Sequence, residues 1–231
     1  PERSEVDKLK GQTVVKSEYD NARTQIGTLG GGNHFIEFQR DTDGRIWFMI
    51  HSGSRNLGFK VAGYYNKKAL ELNKRWKTVF PPSWQLSYLP ADSPEGHHYL
   101  TEMAYCVQFA ERNRRLMSSR VAEALLESIS LDISFDEPIN IAHNYATLET
   151  HYGKKVYIHR KGATSAHSGQ TGIIPGSQGS NSYIVSGKGN PESFSSCSHG
   201  AGRKLGRKQA RKQLNLEKEK QLLENKGIIH A

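Results

Sequence analysis

Residues 27–38 read Gly-Thr-Leu-Gly-Gly-Gly-Asn-His-Phe-Ile-Glu-Phe, and this stretch decides which class of fold the chain adopts. Its second part, residues 34–38, has the pattern of a β-strand with one face on a core. A strand, not a helix, therefore follows the three consecutive glycines. The glycine fingerprint of dinucleotide-binding folds leads into a helix, so these glycines do not match it. The stretch instead predicts a tight turn that enters a strand.

Three further segments have the composition of short strands that end at turns. Residues 45–50 are predicted to form a buried strand that places His51 at its end. Residues 155–158 similarly place His159 at a strand end, and residues 182–185 form a strand after a turn with proline and glycine. Short strands joined by glycine-rich turns predict a strand-rich centre.

The clearest predicted helix covers about residues 101–128, and a proline-rich segment precedes it. One side of this helix is predicted to be apolar, and Arg114 lies on that side, at the position between Ala110 and Met117 where a further apolar residue is expected. From there its guanidinium can pair with a carboxylate, reach an anion or extend to solvent, and we favour the solvent. Residues 80–98 contain four prolines and predict a long surface loop. The apolar stripe consists of residues spaced four and three apart: Met103, Val107, Ala110, Met117, Val121 and Ala124.

These elements together predict an α+β fold, with central β-sheets flanked by helices and a strand-rich core. A length of 231 residues suits one sizeable domain, so we expect residues 1–231 to form a single domain.

The composition narrows the class of partner. The chain carries 32 Lys+Arg and 23 Asp+Glu, for a net charge of +9, which favours an anionic partner such as nucleic acid or nucleotide. Residues 203–212 contain six basic side chains and no acid, and they open a predicted helix that could bind phosphates. The sequence has no apolar run long enough to span a membrane. Two cysteines form no disulfide framework, so we expect a reducing, cytoplasmic location.

Four of the ten histidines fall inside turns that contain glycine or asparagine, where a scaffold holds a side chain rigidly and accessibly. They are His34, His51, His143 and His199. For any one of them, a surface or hydrogen-bonded histidine is the ordinary interpretation. Three histidines from separate segments, without a Cys-x-x-Cys pair, suit an open metal site better than a structural zinc site. The spacing alone does not establish that they meet in space.

Glycine-rich turns provide a second kind of candidate site. Residues 27–33, 174–179 and 199–203 expose backbone N–H groups that can surround phosphate oxygens. The third turn leads into the basic stretch, which places phosphate near a helix start and beside Arg203. None of the three turns matches the P-loop pattern.

Six blocks taken together resemble the RtcB-type RNA ligase family, and they follow the family's order over most of the chain. The blocks are Gly-Thr-Leu-Gly-Gly-Gly-Asn-His-Phe-Ile-Glu (27–37), His-Ser-Gly-Ser-Arg (51–55), Asn-Ile-Ala-His-Asn-Tyr-Ala (140–146), His-Arg-Lys-Gly-Ala-Thr (159–164), Ile-Pro-Gly-Ser-Gln-Gly (174–179) and Ser-His-Gly-Ala-Gly-Arg (198–203). The resemblance implies a fold of the RtcB type.

It also implies an RNA ligase that uses GTP and Mn²⁺, acting in tRNA splicing or RNA repair. Such an enzyme joins RNA with a 3′-phosphate or 2′,3′-cyclic phosphate to RNA with a 5′-hydroxyl. His199 matches the family's catalytic histidine, which attacks the α-phosphate of GTP and becomes guanylylated. The guanylate then passes to the RNA 3′-phosphate, and the 5′-hydroxyl displaces GMP. A neutral imidazole is a workable nucleophile for this step.

The resemblance further assigns metal and nucleotide contacts. His34, His51 and His143 match the family's metal-binding histidines, and Glu37 suits the N–H donors of guanine. Gln178 departs from the methionine that is usual in its block. The residues that match guanylate contacts are Asn33, His34, Phe35, Ile36, Glu37, His143, Asn144, Pro175, Gly176, Ser177, Gln178, Ser182, His199, Gly200, Ala201 and Gly202.

Two family features have no counterpart in the sequence. These are an upstream Asp-x-x-Cys arrangement, which completes a site for two manganese ions, and a C-terminal Tyr and Lys. We therefore expect a chain truncated at both ends that binds manganese weakly. Two alternatives stay open: a metal-dependent phosphoesterase that uses the same three histidines to activate water, and a non-catalytic RNA-binding remnant of the ligase.

Overall fold

The computed structural model describes residues 14–78, 80–84, 86–130, 132–202 and 204–230, and for Pro82 and Arg207 only the backbone. The chain divides into two compact units, the first ending at Asn140 and the second beginning at Ile141. Both units contain helices and strands, so the mixed α+β class is confirmed. The assignment of all 231 residues to one domain stays a prediction.

In the described part of the first unit there are three helices, one hairpin and a 3₁₀ turn at Pro82–Trp84. In chain order the elements are α1 (Val14–Gln25), β1 (Phe35–Arg40), β2 (Ile46–His51), α2 (Arg55–Arg75) and α3 (Pro94–Ser128).

Helices form the buried core of this unit. The core side chains come from one face each of α1, α2 and α3, and their burial is what makes these amphipathic helices stable. They are Val14, Val15, Tyr19, Ala22, Leu57, Val61, Tyr65, Tyr105, Cys106 and Phe109.

Helix α3 differs from its prediction at its start and in its buried face. It begins at Pro94 because the Ser93 hydroxyl accepts from the Gly96 amide at 3.0 Å and Pro94 occupies the first turn. Residues 94–98 are therefore helical and not part of a loop. Of the predicted apolar stripe, Met117 is buried and the others are half-buried or exposed. The buried face is instead Gly96, Glu102, Tyr105, Cys106, Phe109, Asn113 and Met117.

The buried face of α3 includes two polar residues, and each binds backbone N–H groups of another segment. The Glu102 side chain is fully buried, and its Oε1 accepts from the amides of Val14 at 3.1 Å and Val15 at 2.7 Å. A carboxylate at this place satisfies first-turn donors of α1 and complements the positive end of its dipole. With Glu102 facing the core, the buried face of α3 is not the face that the apolar pattern alone predicts.

Strands β1 and β2 form an antiparallel hairpin that pairs Phe35 with His51 and Arg40 with Ile46. The Asp41 carboxylate closes the turn by accepting from the amides of Asp43 and Arg45, both at 2.9 Å. The strand predicted over residues 45–50 is confirmed one residue later. The expectation that it is buried is wrong, because none of its residues is fully buried and Ile46 remains 69% exposed.

The second unit contains six strands, a 3₁₀ turn at Pro191–Ser193 and two short helices. The elements are β3 (Asn144–His151), β4 (Lys154–Lys161), β5 (Ala163–Ser165), β6 (Thr171–Ile174), β7 (Tyr183–Ser186), β8 (Ser196–Ser198), α4 (Arg207–Gln213) and α5 (Leu216–Glu224).

Each described strand of this unit belongs to an antiparallel two-stranded sheet: β3 pairs with β4, β5 with β8 and β6 with β7. The β3–β4 connection has positive φ at Tyr152 (50°) and Gly153 (75°), as a two-residue hairpin turn requires. Strand β4 is longer than predicted, so His159 lies inside the strand and not at its end. The predicted strand at 182–185 is confirmed as Tyr183–Ser186.

The basic stretch at 203–212 contributes most of α4, and Arg203 lies outside the described residues. Lys208, Arg211 and Lys212 are exposed. Among the helices of the described residues, none has the length and apolar composition needed to cross a membrane.

Candidate functional site

The first unit brings together two of the predicted metal-binding histidines. His34 lies directly before β1 and His51 ends β2, so the hairpin register places them side by side. Their ring centroids are 6.1 Å apart, and the Phe35 ring contacts His51 edge-on at 5.3 Å. At this distance between ring centroids, two imidazoles are close enough to bind one metal ion together.

The surroundings of His34 favour its neutral form. Burial lowers the pKa of His34, and the nearby Arg55 guanidinium lowers it further, whereas a hydrogen bond from the ring to the Leu29 carbonyl raises it. Arg55 Nη1 lies 3.4 Å from His34 Nδ1. A neutral imidazole that donates one N–H to a carbonyl keeps a lone pair on its other nitrogen, as histidine ligands of metals do.

The third predicted ligand, His143, belongs to the second unit. Over the described ranges, no group of three or more His, Cys, Asp or Glu side chains is arranged to hold a metal ion. The assignment of a metal to His34, His51 and His143 therefore stays a prediction.

Asn113 of α3 anchors both loops of the first unit that carry these histidines, and the sequence analysis missed it. Its Oδ1 accepts from the Gly27 amide at 2.6 Å. Its Nδ2 donates to Ser52 Oγ at 3.1 Å and to the Gly53 carbonyl at 3.2 Å. The side chain is fully buried. One signal was available: Asn113 sits four residues from Phe109 and from Met117, where the helical period calls for burial.

Arg114, beside Asn113, anchors the same loop from its other side. Its Nη1 donates to the Ser52 carbonyl at 3.2 Å and its Nε donates to Asn140 Oδ1 at 2.8 Å. The favoured expectation that this guanidinium extends to solvent is wrong. The guanidinium instead donates to two neutral oxygens, the Ser52 carbonyl and the Asn140 side-chain amide. A loop carbonyl that is turned away from water needs such a donor.

Arg55, the last residue of the His-Ser-Gly-Ser-Arg block, ties the loop at 52–55 to the glycine-rich turn. Its Nε donates to Thr28 Oγ1 at 3.1 Å, and its Nη1 donates to the Leu29 carbonyl at 3.2 Å. The guanidinium lies against Gly30, where a Cβ would come within 1.2 Å of Arg55 Nη1. The turn therefore needs glycine at position 30 for close approach, as well as for its φ of 87°.

The predicted guanylate contacts of β1 divide between its two faces. Phe35 and Glu37 share the half-buried face, whereas the Ile36 side chain points to the other face. There Ile36 lines an apolar cavity of about 270 Å³ together with Leu29 and Met117. Asn33 is exposed ahead of the strand. Side chains at positions 36 and 37 therefore cannot contact one ligand from the same face.

In the second unit, the predicted nucleophile lies against two other predicted blocks. The rings of His199 and His143 are 4.6 Å apart and tilted by 37°. The His199 ring also packs on Gly162, where a Cβ would meet His199 Cε1 at 3.3 Å. The Gly162 amide donates to the His143 carbonyl at 3.1 Å. Gly162, with a φ of 70°, thus connects the two histidines through its backbone.

The turn that follows β6 joins this cluster through backbone contacts. The Pro175 carbonyl accepts from the Ala201 amide at 2.9 Å. The Gly176 amide donates to Ser182 Oγ at 3.0 Å, which closes the turn on itself. The structure therefore brings together the blocks at 140–146, 159–164, 174–179 and 198–203.

The remaining predicted contacts line the outside of this cluster. Ser177 hydrogen-bonds with Ser180 through its amide at 2.8 Å and its hydroxyl at 2.9 Å. Asn144 starts β3 with an exposed side chain. The other residues are Gln178, Ala201 and Gly202, which are exposed, and Gly200, which is half-buried.

Comparison with known proteins identifies the family. The model of the family described as "RtcB: tRNA-splicing ligase RtcB" matches residues 2–231. "RNA-splicing ligase RtcB" of Escherichia coli (strain K12) is 42% identical over 203 residues, which cover 85% of this chain and 49% of that protein. "tRNA-splicing ligase RtcB" of Archaeoglobus fulgidus is 34% identical over 263 residues, covering 98% of this chain and 54% of that protein. The chain thus spans about half the length of these curated relatives, and it belongs to the RtcB family of tRNA-splicing ligases.

Proposed function

We propose that this chain is part of a GTP- and Mn²⁺-dependent RNA ligase in which His199 is the nucleophile. The observation that carries the proposal is the packing of the His199 ring on Gly162 beside His143, with the Pro175 turn hydrogen-bonded to Ala201. Four of the family's sequence blocks meet there. The substrates proposed are RNA ends with a 3′-phosphate or 2′,3′-cyclic phosphate and RNA ends with a 5′-hydroxyl, as in tRNA splicing or RNA repair.

The chemistry proposed for His199 is two-step transfer of a guanylate. A neutral imidazole nitrogen attacks the α-phosphorus of GTP, so that a P–N bond forms while the P–O bond to pyrophosphate breaks. An oxygen of the RNA 3′-phosphate then attacks that phosphorus and releases His199. The RNA 5′-hydroxyl finally attacks the activated 3′-phosphate, loses its proton to solvent, and displaces GMP.

The contribution of the protein's own residues is positioning and charge. In the turns at 175–178 and 200–202, the backbone amides of Gln178 and Gly202 are the candidates for binding phosphate oxygens, because those of Gly176, Ser177, Gly200 and Ala201 already donate within the protein and Pro175 has no amide hydrogen. The Glu37 carboxylate offers acceptors for the N1 and N2 donors of guanine. Fixed donors of this kind stabilise charge on phosphate at no reorganisation cost.

Manganese fits the donor set of the first unit. Burial favours the neutral form of the His34 ring, the form that binds metals, and the His51 ring lies 6.1 Å away. We propose that these two residues hold the ion, with His143 as a further ligand. A bound Mn²⁺ would neutralise phosphate charge and align the displacement.

The location proposed is the cytoplasm. Cys106 and Cys197 are both free thiols, as suits a reducing compartment.

The test is a labelling experiment with the 231-residue chain. The protein is incubated with radiolabelled GTP and Mn²⁺, and an acid-labile, alkali-stable protein–guanylate adduct is expected on denaturing gels. His199→Ala should abolish the adduct, whereas His97→Ala, which removes an exposed histidine of α3, should retain it. An adduct that survives in His199→Ala contradicts the proposal, and so does the lack of an adduct when the full-length protein that contains this chain is labelled in the same way. Release of phosphate from a chromogenic ester without GTP would support a phosphoesterase instead.

A further inference from the structure

A buried ion pair in the second unit plays no part in the chemistry proposed above. Arg160 on β4 binds Glu149 on β3 through two parallel contacts, Nη1 to Oε1 at 2.5 Å and Nη2 to Oε2 at 3.0 Å. The two side chains are 1% and 12% exposed. His151 Nε2 lies 2.8 Å from the same carboxylate. Burial of such a pair is costly unless further hydrogen bonds satisfy its donors and acceptors, so the remaining contacts of Arg160 indicate why it is there.

The remaining donors of Arg160 bind the segment that precedes β8. Its Nη2 donates to the Phe194 carbonyl at 3.1 Å, and its Nε donates to Ser196 Oγ at 2.9 Å. Between these two contacts the backbone is strained, because Phe194 and Ser195 have φ values of 50° and 48°. The left-handed region is unfavourable for a residue with a side chain, because its Cβ comes too close to the following carbonyl oxygen. Arg160 therefore contributes to holding two consecutive residues in a conformation that the free chain avoids, together with the backbone hydrogen bonds of Phe194 and Ser195 to neighbouring segments.

The held turn leads directly to the nucleophile. Ser196 starts β8, which pairs with β5 so that Ser198 lies opposite Ala163, and His199 follows at once. On the other side, Arg160 is two residues before Gly162, on which the His199 ring packs. Arg160 is thus close in the chain to Gly162 and hydrogen-bonded to Ser196, which is three residues before His199. It is linked in this way to both partners of the contact between Gly162 and His199.

We propose that Arg160, oriented by Glu149, is a positioning residue that fixes the His199 imidazole against Gly162 by holding the turn at residues 194–195. Its catalytic consequence rests on the function proposed for His199. The position of the His199 imidazole does not depend on that proposed function, so it can be measured separately.

The first variant is Ser196→Ala, which leaves the buried ion pair intact and removes the acceptor of Arg160 Nε, together with the hydrogen bond at 3.1 Å from Ser196 Oγ to the Phe194 carbonyl. Arg160→Lys is the second variant, since one amine cannot replace the two-armed contact to Glu149 and the bond to Phe194. The first measurement is the NMR shift of the His199 ring protons, assigned by their loss in His199→Ala. Because the His143 ring lies 4.6 Å away, a displaced His199 should change its ring-current shift in both variants.

The second measurement is the rate of guanylate transfer to His199 at saturating GTP. Misplacement of a nucleophile by about 1 Å can lower a rate by about 10²-fold, so we expect a loss of about 10- to 100-fold with the dissociation constant for GTP unchanged. Loss of stability alone would lower the fraction of active protein but not the rate constant of the folded molecules.

Tyr152→Phe is the matched control, because it keeps the ring contact with Phe194 and loses only the hydroxyl's hydrogen bond at 2.8 Å to the Pro191 carbonyl, which still accepts from the Phe194 amide. The inference is overturned if Ser196→Ala leaves the His199 shifts and rate at their unsubstituted values, or if Tyr152→Phe changes them equally. If the shifts move in Ser196→Ala but no variant and no unsubstituted protein forms an adduct, the proposed function fails and the positioning role of Arg160 stands.

Discussion

At the scale of single residues, one buried amide joins two loops that are separate in the sequence. Asn113 accepts from the Gly27 amide and donates to Ser52 and to the Gly53 carbonyl. A side-chain amide has both donors and acceptors, so it can satisfy loop backbone groups of either kind. The positions of His34 and His51 therefore depend on a residue of a distant helix.

Asn113→Ala should destabilise the first unit by about 2–4 kcal/mol, because each buried polar group left without its partner costs about 1–3 kcal/mol. All three tryptophans of the chain lie in this unit, so urea unfolding followed by tryptophan fluorescence reports on it directly. The control is Gln108→Ala, at an exposed position of the same helix, which should change stability by less than about 0.5 kcal/mol. Equal effects of the two substitutions would contradict the role assigned to Asn113.

The histidines could be predicted from the sequence, whereas Asn113 and the contacts of Arg114 could not. A histidine in a glycine-containing turn is conspicuous in the sequence itself. A polar residue inside a helix is not, because its burial depends on whether other segments leave backbone groups in need of a partner. Asn113 and Glu102 are buried because each binds backbone amides of another segment. As a result, the buried face of α3 differs from the apolar stripe that periodicity alone predicted.

At the scale of elements, the sequence predicted four of the described strands, β1, β2 and β7 to within two residues and β4 with its end three residues too early. Strands β3, β5, β6 and β8 were missed, and no strand's partner could be predicted. Alternation of side chains locates a strand and does not say which strand lies next to it. The start of α3 was missed for a different reason. Several prolines suggested a loop, although Ser93 followed by Pro94 is also a typical helix start.

The β3–β4 hairpin should lose stability in acid through Glu149. The Arg160 guanidinium lowers the pKa of the Glu149 carboxyl to about 2, whereas the unfolded value is about 4.3. A carboxyl with a lowered native pKa stabilises the fold above its unfolded pKa, and this stability is lost as the pH falls towards 2. Linkage gives a loss of about 2 kcal/mol between pH 6 and pH 3.

Urea titrations followed by the NMR signals of residues 144–161 measure this loss. Glu149→Gln should be less stable than the unsubstituted protein at pH 6, and its own decrease between pH 6 and pH 3 should be smaller by about 2 kcal/mol. Glu192→Gln, at an exposed position of the same unit, should retain the full decrease. A decrease in Glu149→Gln as large as in the unsubstituted chain would mean that the ion pair does not govern the acid response.

At the scale of the whole molecule, charge is the property that bears on RNA. The net charge of +9 predicts attraction to any polyanion, and the function proposed above makes RNA the polyanion to test. Overall charge does not say which surface binds. Helix α4 is the candidate surface, because Lys208, Arg211 and Lys212 are exposed on it, and phosphate contacts by such side chains release counterions from RNA.

Changing Lys208, Arg211 and Lys212 to Gln should weaken the binding of single-stranded RNA and make it less dependent on salt. Each phosphate contact contributes about 0.7 to the slope of log K against log salt concentration for a single strand. Loss of three contacts therefore lowers the slope by about 2. Fluorescence anisotropy of labelled RNA between 50 and 200 mM salt, roughly the range over which such contacts are decisive, measures it.

A second triple variant separates contact by α4 from the effect of total charge. It changes three exposed lysines of α1 and α2 to Gln and removes the same number of positive charges: Lys16, Lys67 and Lys74. If α4 contacts RNA phosphates, this variant should keep the slope of the unsubstituted chain and lose little affinity, since the slope counts the phosphates neutralised by direct contact and not the total charge. Equal reduction of the slope in both variants would show that RNA responds to net charge alone, and α4 would then have no special part in binding.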